Sequence, residues 1–155
     1  MTRALNDPSW GRRSAALDSV KVLGSDAEVL IPRIEALLIE GPSALRSSAG
    51  NAFAAIGQPA LRPLINLLEY DNNEVRQRAA TALGEMGPAA APAIPALIRL
   101  LESQDTSLAS TARFALPRIG PEAIPALEAA QKHASPDVRE RATSALKDLK
   151  RAEER

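Results

Sequence analysis

The chain has 155 residues, enough for one domain with a genuine core, and 45% of them are hydrophobic while only 3% are aromatic. Such a core must be assembled from Leu, Ile, Val and Ala, and the scarcity of Tyr, Phe and Trp argues for helix over sheet. Lys plus Arg and Asp plus Glu are 19 each, balanced on both sides of Tyr70, so the basic surplus of a nucleic-acid binder is absent.

Taken in order, the chain reads as helix pairs. Asp7-Pro8-Ser9-Trp10 opens a first helix over roughly 8–23, and 27–40 forms its partner around Ile31, Pro32 and Ile34. After Gly41, Pro42 opens a helix at 43–56 carrying Leu45, Ala49, Ala52, Phe53 and Ile56, and a second helix at 59–70 carries Leu61, Leu64, Ile65 and Leu68. The turn Asp71-Asn72-Asn73 leads into 72–86, with Val75, Ala79, Ala82 and Leu83, then 90–103, with Ile94 and Leu97. Gln104-Asp105 turns into 106–119, with Leu108, Ala112, Ala115 and Leu116, followed by 121–133. A closing helix at 136–150 carries Val138, Ala142, Ala145 and Leu149. The units are therefore 7–40, 41–70, 71–103, 104–133 and a closing helix at 135–150, within one domain spanning 1–155.

Two phrases keep one beat along these elements. Leu45, Val75, Leu108 and Val138 are spaced 30, 33 and 30 residues apart, and so are Ile31, Leu61, Ile94 and Ile124. Identical spacing in two independent phrases is the mark of an internal repeat. The apolar offsets 0, 4, 7, 8 and 11 from the first anchor form one face of a 3.6-residue period. Gly57, Gly87 and Gly120 follow each first helix as C-terminal caps. Most prolines fall in turns or first helical positions, where a missing N–H costs nothing. Pro117 alone sits late in a helix, and it predicts a kink or an early end.

The phrase Val75-Arg76, Ala79-Ala80, Ala82-Leu83-Gly84 and Met86-Gly87, followed by Ile94-Pro95-Ala96-Leu97-Ile98 and Leu100-Leu101, closely resembles the short bacterial HEAT-like repeat. That repeat is also named for the phycobilisome (bilin) lyases in which it occurs. The resemblance covers nearly the whole chain and weakens in the first unit, where Asp18 and Ser19 interrupt the Ala-Leu positions. It implies an all-α, right-handed α-solenoid of about four and a half helix pairs whose second helices line the concave face. It does not imply lyase activity, because repeats identify a fold and function belongs to a site.

Chemistry is sparse. His133 is the only histidine and has no Ser partner suited to a triad, so it reads as a polar residue ending a second helix. Without Cys, neither a disulfide nor a thiolate metal site can form. No phosphate loop is present, and Asp71-Asn72-Asn73 lacks the Gly and Glu of a calcium loop. No catalytic residue, metal or cofactor is therefore expected. The arginines Arg12, Arg46, Arg76, Arg78, Arg139 and Arg141 could form a phosphate ladder. The preferred reading is structural, with acidic groups such as Asp71, Asp105 and Asp137 as their partners and adjacent repeats tied together.

By register, the second helices direct Arg62, Asn66, Tyr70 and Arg99 away from the apolar face, with Glu69 and Glu102 beside them. Tyr and Arg are the residue types most often found as binding hot spots. Trp10 is expected to cap the end of the solenoid or to form part of an end-on interface, and the charged tail to close the other end. The sequence thus points to a non-catalytic scaffold module that binds protein through these six residues, in the cytoplasm, with no membrane or metal. The competing readings are an accessory subunit of a bilin-lyase-type enzyme and a HEAT-like nucleic-acid binder.

Overall fold

The computed structural model describes residues 1–154, and among them every regular element is a helix. The α-helices are α1 (Thr2–Leu5), α2 (Trp10–Leu23), α3 (Ile31–Glu40), α4 (Ser43–Ile56), α5 (Leu61–Leu67), α6 (Asn73–Glu85), α7 (Ile94–Leu100), α8 (Thr106–Ile119), α9 (Ile124–Ala130) and α10 (Pro136–Glu153). They stack in two layers. The first helices α2, α4, α6, α8 and α10 lie side by side in chain order, and α3, α5, α7 and α9 each pack on the first helix that follows. This is the all-α solenoid of helix pairs that the two-phrase repeat predicts.

Each first helix buries one stripe. In α6 the stripe is Val75, Ala79, Ala80, Ala82 and Leu83, and in α8 it is Leu108, Ala112, Ala115, Leu116 and Ile119. Alanine at the repeated positions lets backbones approach closely, while leucine and isoleucine fill the space between layers. Phe53 is the largest fully buried side chain, and no polar or charged residue is buried among those described. Asn72 and Asp105 start α6 and α8 as N-caps. Asn72 Oδ1 accepts from the N–H of Glu74 and Val75, and Asp105 Oδ1 from those of Ser107 and Leu108. The bond from Leu108 is the largest of several influences holding the Asp105 carboxyl below its ordinary pKa.

The second helices are shorter than their sequence span. Each begins as a 3-10 segment and becomes α-helical only at Ile31, Leu61, Ile94 or Ile124. The glycines that open these segments or directly precede them, Gly24, Gly57, Gly87 and Gly120, all have positive φ, and prolines in each lead but the first lack the N–H an α-turn would use. The later ones end early, at Leu67, Leu100 and Ala130. The chain then tightens into i→i+3 bonds such as Tyr70 N–H to Leu67 O, at 3.3 Å.

Three expectations are corrected. Of the kink or early end expected at Pro117, the early end does not occur, because α8 runs on to Ile119. Proline removes a single backbone bond there, and buried Leu116 and Ile119 hold the final turn in place. Trp10 is not the buried end cap, since it is 60% exposed. The short helix α1, absent from the sequence map, packs on α2 and α3, with Leu5 wholly buried and its carbonyl accepting from Arg33. Nor do Asp71, Asp105 and Asp137 form ion pairs among the described residues; Asp105 caps α8 and accepts from Asn73, and the partner of Arg46 is Glu74, at 2.6 Å.

That pair makes a pH prediction. Glu74 accepts from Ser43 Oγ and from Arg46, and these bonds, the Ser43 one first, hold its carboxyl below the ordinary range. A depressed folded pKa stabilises the fold above the unfolded value and loses that contribution as pH falls through the folded one. Glu74→Gln should therefore melt earlier than the wild type at neutral pH. The gap should close on acidification through the carboxylate range, as followed by circular dichroism. A gap that widens in acid would contradict the assignment.

Candidate functional site

Arg62, Asn66 and Tyr70 follow one another at intervals of four residues along α5 and the turn after it, about 6 Å of helix axis per step. All three are exposed, Tyr70 by 40%. Half-buried Ile65 and Ile98 sit beside Asn66 and Arg99 and pack down against the core. The strip therefore has polar tips over an apolar base.

The neighbouring unit joins the strip through charge. Arg99 Nη2 of α7 donates to Glu69 Oε1 at 2.7 Å, bridging two successive second helices. One unit further on, His133 Nε2 lies 3.9 Å from Glu102 Oε1. Both contacts are largely exposed, so their net worth is small. The Glu69–Arg99 bridge is positional in effect, and Glu102 and His133 continue its row along the C-terminal ends of the second helices. Arg62 forms no ion pair among the described residues and remains the free cation of the strip. The structure thus gathers Arg62, Asn66, Glu69 and Tyr70 along α5 and the turn after it, with Arg99 and Glu102 along α7 and its turn.

His133 accepts the Ser135 N–H at Nδ1, 3.1 Å away, which ties the imidazole into the turn before α10. That geometry matches a polar residue closing a second helix. Most of the arginines on the first helices serve the backbone or neighbouring side chains. Arg139 donates to the His133 and Ala134 carbonyls at 2.8 and 2.7 Å, and Arg141 to Leu101 O at 2.5 Å. Arg46 also reaches Ile39 O at 3.1 Å. These carbonyls lie at or just beyond the ends of second helices, where intrahelical partners are lacking and positive charge is favoured. Arg76 donates to Asn73, and Arg12 pairs with Asp7 at 3.3 Å. So many local bonds leave little of a continuous phosphate ladder.

The sequence reading passed over Arg113 and Phe114 on α8. Register would have found them: the same two positions hold Gly50-Asn51, Ala80-Thr81 and Thr143-Ser144 in α4, α6 and α10. Among the described residues no helix is long and apolar enough to cross a membrane, and no group of three or more Asp, Glu or His could hold a metal ion.

The family model of HEAT repeats matches residues 30–117, more than half of the chain. No curated protein matches its sequence. Among solved structures, the complex of CpcE and CpcF of phycocyanin lyase from Nostoc sp. PCC7120 is similar at 20% identity, with 91% of this chain and 92% of that chain covered and a TM-score of 0.61. Computationally designed armadillo repeat proteins for modular peptide recognition are similar at 21% identity, over 95% of this chain and 79% of that chain, with a TM-score of 0.52. At such identities the likeness is one of fold.

Proposed function

The chain belongs to the HEAT-repeat family, and on that footing we propose that it is a non-catalytic scaffold whose protein partner lies along the row of second helices. The observation that carries this reading is the strip itself: Arg62, Asn66 and Tyr70 along α5 and the turn after it, continued by the Glu69–Arg99 bridge onto α7. Tyrosine and arginine are among the residue types most enriched at the energetic centre of an interface. An extended peptide crossing successive second helices would meet a new set of side chains at each unit. The similar armadillo repeat proteins were designed for modular peptide recognition, and that likeness of fold supports the reading. The nucleic-acid alternative draws no support from the balanced charge.

The test begins with a partner captured from host extract on the immobilised chain, identified, and titrated against variants. Tyr70→Ala with Arg99→Glu should leave helicity intact and weaken binding about ten-fold, or ~1.4 kcal/mol. Substituting Arg76 and Arg78 should lower the melting temperature and spare affinity. If that outer pair abolishes binding while the strip variant binds normally, the partner docks on the first-helix layer and the proposal fails.

A further inference from the structure

Glu69 and Glu102 hold the same position in successive units, offset like the anchors Leu61 and Ile94. Each faces a nitrogen carried by the next second helix or its turn. Glu69 meets Arg99, whose charge is permanent, at 2.7 Å. Glu102 meets the imidazole of His133, the one histidine of the chain, at 3.9 Å. The α5–α7 joint therefore has a fixed cation, and the α7–α9 joint has one that comes and goes with pH.

The hydrogen bonds around His133 decide which proton it carries. Nδ1 accepts the Ser135 N–H at 3.1 Å, so the proton of the neutral ring sits on Nε2, the nitrogen that faces Glu102. A second proton goes to Nδ1, which then stands against the Ser135 N–H as donor against donor. Protonation thus breaks the bond that ties the ring into the turn. It also makes the contact with Glu102 one between opposite charges. Both changes drive the ring the same way, out of the α9–α10 turn and toward the end of α7. A separation of 3.9 Å leaves the ring about 1 Å to travel before a charge-assisted bond forms.

The other charged groups around the ring offer it no competing partner. Asp137 and Arg141 of α10 line the same recess as His133 and Glu102. Arg141 donates to the carbonyls of Leu101 and Ser103, and Arg139 to those of His133 and Ala134. Asp105, at the start of α8, accepts from the Ser107 and Leu108 N–H groups and from Asn73. Lys132, next to the ring in sequence, is exposed. Among the described residues, Glu102 is the one carboxylate that His133 reaches.

We propose that His133 is a pH-operated latch between the last two second helices. Neutral, it closes the α9–α10 turn through Ser135. Protonated, it releases that turn and bridges α9 to α7 through Glu102, extending the row that Glu69 and Arg99 begin. The latch rests on the turn geometry and not on the binding strip, so either reading can fail alone.

Nuclear magnetic resonance on the full chain, from about pH 8 to pH 5, tests it, because a lone histidine gives an unmixed titration. At the alkaline end the ring nitrogens should show the proton on Nε2. The Ser135 amide should then shift with the same midpoint as the ring and lose exchange protection in acid. Glu102→Gln, at an exposed position, removes the acceptor of the charged ring and should move the midpoint to lower pH. Ser135→Pro removes the donor to the neutral ring, at a φ of −71° that proline adopts, and should move it to higher pH. A histidine that merely sits at the surface would titrate alike in all three chains. The proposal is overturned if the proton sits on Nδ1 at high pH, if the Ser135 amide does not follow the ring, or if Glu102→Gln leaves the midpoint in place.

Discussion

Replacing Leu83 or Leu97 by alanine should cost about 2–5 kcal/mol, the usual penalty for emptying a well-packed leucine site. Both side chains are wholly buried. Leu83 lies in α6, which has first helices on both sides, and Leu97 lies in α7, packed on α8. Neither site can collapse easily, since its walls are helix backbones held by alanine contacts. In a solenoid each unit touches only its neighbours, so the loss should be local at first. Denaturant midpoints should fall for both variants. Amide exchange should accelerate most in α6 to α8 and least in α2 and at the end of α10. Midpoints that do not move would remove these leucines from the core.

The core was legible because helical period and repeat spacing act together. A face at 0, 4, 7, 8 and 11 appears in several units, and it is the face that Val75, Ala79, Ala82 and Leu83 bury. What escaped lies where one local rule meets tertiary contacts. Pro117 obeys the rule against helix interiors in isolation, yet the buried residues on either side of it outweigh a single missing bond. Trp10 was the obvious plug for the solenoid end by size, but α1 brings Leu5 to that place, and four residues show no period. The strip was legible as positions and not as pairs, since the Glu69–Arg99 bridge joins residues 30 apart through the stacking of units. Phe114 was legible only by comparing units position by position, because within α8 alone it is one more apolar residue.

Gly84 is where that stacking is tightest, and substitutions there should be among the most damaging for their size. A Cβ would sit 3.0 Å from both Cα and Cβ of Ala115, and a backbone atom cannot swing aside as a long side chain would. Gly84→Val should therefore force α6 and α8 apart and cost about 1–3 kcal/mol or more, the range for overpacking a closed core. Gly50 is the control. It lies on the forward face of α4, but its Cβ would lie 3.6 Å from the Arg78 carbonyl, an ordinary contact. Glycine inside a helix costs about 1 kcal/mol relative to alanine, so Gly50→Ala should raise the melting temperature. Gly84→Ala carries the same helical gain and must set it against displacement of Ala115, so its stability should fall below that of Gly50→Ala. Equal gains at the two sites, read from paired thermal melts, would mean that the α6–α8 seam has room to spare.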